Sequence, residues 1–212
     1  MRNRSLLLFL LGVPALAANA SQTSLFPVAA PGTVRLENSF GEVSVEGWDR
    51  PDVQVIATRS GDRQDRVNSV KISASQEGND VTVSTVYPPR SVFLHPLSRR
   101  SDVEIRYDIH APRGSKLVID HNSGGVNVAG IHGAIHATVV NGQITLDLAP
   151  GAYAIDAQCS LGKVYSDFEG QDRTRRLLGD RFSREAPAPA PDLYLRARIG
   201  DIVLVQRTGP AD

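Results

Sequence analysis

Ser123-Gly-Gly-Val-Asn-Val-Ala-Gly130 is followed by Val140-Asn-Gly-Gln-Ile-Thr-Leu146. Each stretch sets a glycine ahead of two apolar residues spaced two apart. The same unit occurs as Gly41-Glu-Val-Ser-Val45, Gly133-Ala-Ile-His-Ala137, Gly162-Lys-Val-Tyr-Ser166 and Gly200-Asp-Ile-Val-Leu204. In extended chain, residues two apart share one face, so each unit reads as a short strand with one apolar side. The glycine marks a sharp turn, where the backbone can take a positive φ. Asn38-Ser39, Asn122-Ser123 and Asn141 stand just before three of the glycines, and their side chains favour local turns. Gly124, Gly133 and Gly142 are evenly spaced, as successive short strands laid on one another would be. One such strand cannot bury its apolar face alone; stacking makes the core continuous. The pattern predicts an all-β chain, a β-solenoid or β-roll-like stack, with a β-sandwich as the alternative.

The flanking sequence agrees. Val53–Thr58 and Val103–Ile109 alternate, and Leu117–Ile119 resumes after Pro112-Arg-Gly-Ser115. Val70–Ser75 and Val81–Val86 flank Gln76-Glu-Gly-Asn-Asp80 and read as a hairpin. The best helical stretch is Asp172–Phe182, with Leu177, Leu178 and Phe182 as its apolar residues and Gly179 against it.

At the start of the chain, Arg2 and Arg4 precede the apolar run Leu6–Leu16, and Ala18-Asn19-Ala20 supplies small residues for a peptidase. This reads as a secretory signal peptide, residues 1–20, cut after Ala20. The run is shorter than the ~20 residues needed to span a bilayer. The expected product, residues 21–212, is a single β-repeat domain, exported to the periplasm or outside the cell. It carries an Arg/Pro-rich insertion at about 170–192.

Composition narrows the function classes. The 212 residues hold 23 basic and 23 acidic side chains, and 41% are hydrophobic. Balanced charge argues against nucleic acid as a partner, and the hydrophobic content against full-length disorder. A single cysteine, Cys159, excludes an internal disulfide framework and a Cys-rich zinc module. Beside the repeat strands, it reads as a buried small residue.

Two runs together are similar to a known family. Gly41–Val55 is the first. Val103-Glu-Ile-Arg-Tyr-Asp-Ile-His-Ala-Pro-Arg-Gly-Ser-Lys-Leu117, leading into Ser123–Gly130 and Val140–Leu146, is the second. They resemble the bacterial putative-adhesin family of β-strand-repeat proteins, a domain of unknown function, over most of residues 32–206. The resemblance implies an exported solenoid-like domain of the cell envelope. It implies no catalytic residues. The Pro/Arg loop Tyr87–Ser101 and the insertion Gly170–Asp192 depart from the simple pattern.

Residues with chemical potential are few. His132 and His136 are four apart, but along a strand that separation is about 13 Å, too far for one metal. Asp120-His121-Asn122-Ser123 is the densest polar group. It reads as a turn held by side-chain bonds, or as part of an acid/base pair for sugar cleavage. Asp120, Asp147, Asp156 and Asp167 could supply the two carboxylates a glycosidase needs. Asp147, between Leu146 and Leu148, should face outward. No nucleophile elbow, phosphate loop, dinucleotide fingerprint or zincin motif is present. No catalytic, cofactor or metal residue is therefore assigned.

The insertion gathers Arg173, Arg175, Arg176, Arg181 and Arg184 ahead of Ala186-Pro-Ala-Pro-Ala-Pro191, an expected polyproline II run. It reads as a solvated loop, or as an arm contacting an anionic envelope polymer or acidic partner. A second basic loop, Arg90–Arg100, has Phe93, Leu94 and Pro96 within it and suits an interface or an end cap. The sequence thus points to a non-enzymatic, adhesin-like envelope or surface module without a cofactor. Its partner is an envelope component or polysaccharide. A carbohydrate-active lyase or hydrolase, and a structural or regulatory periplasmic factor, are the rivals.

Overall fold

The computed structural model describes residues 18–88, 103–169, 172–175 and 178–207. The elements are β1 (Ala18–Pro27), β2 (Thr33–Trp48), β3 (Asp52–Gly61), α1 (Gln64–Ser69), β4 (Lys71–Glu77) and β5 (Asp80–Val86). Then come β6 (Val103–Pro112), β7 (Lys116–Ser123), β8 (Val126–Ala129), β9 (Ile135–Asn141), β10 (Ile144–Leu148) and β11 (Ala154–Leu161). The last are β12 (Val164–Ser166), β13 (Asp172–Arg175), β14 (Asp180–Arg184), β15 (Asp192–Ile199) and β16 (Ile202–Gln206). The fold is all-β: a large mixed, mostly parallel sheet bent nearly closed into a barrel-like shape.

Two parallel ladders form the bulk of it. One is β2, β7, β9, β15 and β11. The other is β2, β8, β10, β16 and β12. β2 belongs to both because it bends at Gly41: Thr33–Phe40 pairs with β7, and Val43–Glu46 with β8. In-register pairing lines the apolar residues into inward columns. Val43, Val126, Ile144, Ile202 and Val164 make one. Val34, Leu117, Ile135, Leu193 and Ile155 make another. All ten belong to one buried core.

The ladders join at a glycine corner. Gly41, Gly124, Gly142, Gly200 and Gly162 have φ between 118° and 152°. A Cβ built on Gly124 would collide with the carbonyl oxygen of Gly41, one on Gly142 with that of Gly124, and one on Gly200 with that of Gly142. Backbone bonds tie the column together: Gly142 N–H donates to Ile199 (2.9 Å) and Gly200 N–H to Leu161 (2.8 Å). Gly133 belongs to the opposite corner, against the Ser115 carbonyl. The even spacing of Gly124, Gly133 and Gly142 therefore counts alternate corners.

The structure supplies a rung order that the sequence leaves open, corrects one element and adds another. The rungs do not stack in chain order, because β15 and β16 insert between β9/β10 and the earlier β11/β12. Asp172–Phe182 is not helical over its described residues. It holds β13 and β14, and β14 pairs antiparallel with β11. Asp180 and Phe182 are buried and Arg181 is exposed, a period of two that no helix face would give. Helix α1 was not foreseen; it buries Val67 against the core.

Gly142→Ala should be severe. Glycine-only backbone regions cost other residues ~1–3 kcal/mol, and the carbonyl collision adds ~1–3 kcal/mol. Gly78 also has a positive φ, 62°, but open space around it, so Gly78→Ala should cost only about 1 kcal/mol. Urea denaturation of both variants checks this; equal losses would mean that the column is not a constraint.

Candidate functional site

The outer face of the β2–β7–β9–β15–β11 ladder holds Asp120, Asn122, His136 and Asp156 of the polar residues singled out in the sequence. Asp120 and His121 are neighbours on β7 and point to opposite faces. Asp120 is exposed, whereas His121 is only 3% exposed. The group is thus the end of a strand, not a turn, and its acid and its imidazole do not converge. His121 continues the inward row after Leu117 and Ile119. Its column runs Asn38, His121, Val139, Ala197, Cys159.

The buried imidazole is held at the glycine corner. Its Nε2 lies 2.9 Å from the Gly41 carbonyl, which can only accept, so Nε2 carries the proton. Nδ1 is buried without a hydrogen-bond partner. Burial depresses the pKa of His121; the Gly41 carbonyl bond and the Glu42 charge oppose this only in part. Alongside, Thr85 Oγ1 donates to Asn38 Oδ1 (3.1 Å) and lies 2.6 Å from the Tyr107 hydroxyl. Burial raises the Tyr107 pKa, and the Thr85 bond works against it.

Above this network lies a shallow concavity of about 380 Å³, with Glu37, Asp120, Asn122, Thr138 and Thr85 in its lining. Glu37 and Asp120 are register partners on adjacent parallel strands, and Thr138 is the next in line. Neither carboxylate forms an ion pair among the described residues.

The other three carboxylates are engaged. Asp147 faces outward and is bound by Arg207 (2.6 Å). Asp167 accepts the Gln206 N–H (3.1 Å). Asp156 is bound by Arg196 (2.6 Å) and Arg181 (3.3 Å). Partial burial works against the Asp156 charge, but Arg196 and then Arg181 outweigh it and hold the carboxyl below its ordinary value.

Beside Asp156 stands Tyr194, 42% exposed. The Arg196 guanidinium lies 3.8 Å from its ring centroid, and His136 meets it edge-on at 5.9 Å. His136 is fixed in turn by Asp192 (3.1 Å). The ring, a guanidinium, an imidazole and two carboxylates make one interlocked surface patch. In the sequence His136 is weighed only as a metal ligand, and neither Tyr194 nor Arg196 is singled out. Their signal was the alternation Leu193-Tyr-Leu-Arg196, which puts both outside. Among the described residues no group of three or more His, Cys, Asp or Glu could hold a metal. Cys159 is buried, and desolvation raises its thiol pKa to about 11.

Described residues of the insertion are built into the fold. Asp180 Oδ2 accepts the Val164 N–H (3.1 Å) at the rim of β12. Phe182 enters the core, and Arg184 lies 5.3 Å from the Phe168 ring centroid. Of the arginines proposed for partner contact, Arg181 and Arg184 are thus engaged within the fold. Arg173 and Arg175 lie on β13, and Arg176 lies outside the described residues. Ala186–Pro191 bends at residues 188 and 189 rather than running as one polyproline II stretch. The loop 89–102, with Arg90–Arg100, also lies outside the described residues, as do residues 1–17 of the expected leader. The peptide bond expected to be cut, after Ala20, falls inside β1.

No family model matches the chain, and no curated relative matches it. Among solved structures, a "putative cell adhesion protein" from Clostridium sporogenes ATCC 15579 superposes with a TM-score of 0.55 at 10% identity, covering 89% of this chain and all of its own. A "putative adhesin" from Bacteroides fragilis NCTC 9343 aligns at 11% identity, over 88% of this chain and 97% of its own, with a TM-score of 0.29. The structural neighbours are therefore bacterial proteins described as adhesins, at low sequence identity. At that identity the first shows a shared fold and nothing further.

His121 should make stability pH-dependent. Its folded pKa is depressed, so the unfolded chain takes up the proton first, near the ordinary ~6.5. Stability should be full above that value and fall as the pH drops from there towards the folded pKa. Melting temperatures at pH 7.5 and 5 should separate in the native chain and draw together in His121→Leu. In the insertion, Phe182→Ala should cost about 3 kcal/mol, whereas Arg181→Ala, which loses a largely exposed ion pair, should cost under ~1 kcal/mol. Urea titration distinguishes the two; a negligible loss at Phe182 would return the insertion to the role of a loose arm.

Proposed function

We propose that this chain is an exported, non-enzymatic, adhesin-like module of the cell envelope or surface, folded as a short β-roll, with the outer ladder face around Tyr194 as its contact surface. The observation that carries the reading is the interlocked patch of Tyr194, Arg196, Asp156, His136 and Asp192 on parallel strands. Each polar group is held by a neighbour, so little side-chain entropy remains to be lost on contact. A half-exposed ring offers an apolar surface to the C–H face of a sugar, and the flanking guanidinium, imidazole and carboxylates offer hydrogen bonds to hydroxyls. An envelope polysaccharide is thus the partner class that suits the patch. Arg181, bonded to Asp156, borders it, so the insertion reaches the same face through that residue. Export rests on the leader-like start of the sequence.

The neighbouring carboxylates Glu37 and Asp120 favour a second reading, a glycan hydrolase or lyase working in the concavity.

Incubating the processed chain with immobilised envelope polysaccharides separates the two. Retention without released sugar is expected, with affinity lowered about tenfold, ~1.4 kcal/mol, in Tyr194→Ala. Product release that disappears in Asp120→Asn would establish the enzyme instead. No retention and no release would overturn both and leave a structural or regulatory factor.

A further inference from the structure

The sheet ends in strands of unequal character. β4 is seven residues long with Lys71 and Glu77 at its ends. β12 is three residues long, and the Asp180 carboxylate takes its Val164 N–H. β13 is four residues long and carries Asp172, Arg173 and Arg175. Short length and charge are the usual protections of a sheet edge against pairing with another chain.

β1 has neither. It is ten residues long, Ala-Asn-Ala-Ser-Gln-Thr-Ser-Leu-Phe-Pro, without a single charge. It pairs with β3 in unbroken register from Ala18↔Gly61 to Pro27↔Asp52. Among the described residues no strand pairs with its other side. Its one proline is terminal, and the Pro27 carbonyl accepts from Gln76 Nε2 (2.6 Å). Asn19, Ser21, Thr23 and Leu25 are exposed along one face. A cut after Ala20 would still leave Ser21–Pro27 as a strand without a charged side chain, its new amino terminus at one end.

We infer that the open side of β1 joins two copies of this chain, β1 against β1, antiparallel across a two-fold axis. Three features select a second copy. The strand is uncharged, so placing it against itself opposes no like charges. Antiparallel pairing of one segment with itself is the self-complementary arrangement a two-fold axis requires. The other terminal strands are protected, so the contact closes at two copies instead of growing into a fibre. The joined strands continue one sheet from core to core and leave the Tyr194 face of each copy uncovered, since that face lies on the other ladder. The inference is independent of any ligand.

Sedimentation velocity of the processed chain over a wide concentration range tests it. The mass should rise from one chain to two and no further. Hydrogen exchange at residues 21–26 should slow as the dimer forms. Thr23→Lys puts like charges near the axis at an exposed position and should weaken dimerisation at least tenfold, with Leu25→Lys as a second variant in case the first perturbs folding. Val205→Lys, exposed on β16 near the far end of the sheet, should leave it unchanged. A one-chain mass at every concentration would overturn the inference and leave the edge to a foreign strand. A dimer that resists both β1 variants would overturn it equally, by placing the interface elsewhere.

Discussion

The carbonyl oxygen of each corner glycine occupies the space where a side chain on the next glycine would begin. Everything else in the stack follows from that contact. Strands in a ladder lie ~4.8 Å apart, and the corner can keep that spacing only if no Cβ intervenes. With Gly41, Gly124, Gly142, Gly200 and Gly162 in one column, every rung turns at the same height. The register is then fixed on both sides of the turn at once. A slip of one residue would expose every inward column, including Val43, Val126 and Ile144. The corner is thus what lets short strands, each unable to bury its own face, share one core.

This explains which parts of the fold the sequence discloses. A position that must be glycine is visible as glycine, and the two inward residues after it are visible as Val, Ile or Leu. Rung order is not visible, because rungs with the same inward pattern are interchangeable. Leu193, Leu195 and Ala197 present much the same face as Ile155, Ala157 and Cys159. Nothing local says that the later strand should lie inside the earlier one. The choice depends on β14, which pairs with the far side of β11 and so leaves only its near side for β15. The strand character of Asp180–Arg184 was hidden by composition, since a buried aspartate and flanking arginines mask a period of two.

The site was legible in a different way. Leu117 and Ile119 already predict that position 121 faces inward, but an imidazole there reads as a polar group at a turn. Physically it is an interior group that replaces an apolar side chain in its column and bonds the Gly41 carbonyl at the corner. The same alternation puts Tyr194 and Arg196 outside, yet no sequence pattern says that they meet Asp156 and His136. Those contacts are between strands, and they depend on the rung order that the chain conceals.

The column Asn38, His121, Val139, Ala197, Cys159 also gives the stack a direction. At its β2 end the inward groups are polar and tied to Thr85 and Tyr107. At its β11 end they are small and apolar, and the insertion contributes Asp180 and Phe182 against them. A new rung at the first end would have to break a buried hydrogen-bonded network, and one at the second would have to displace a packed strand. Growth of the β2–β7–β9–β15–β11 ladder along its stacking axis is therefore opposed at both ends for different physical reasons. What the fold leaves open is the outer face of this ladder, and the uncharged strand β1, which ends the sheet that leaves β2 through β6 and β3.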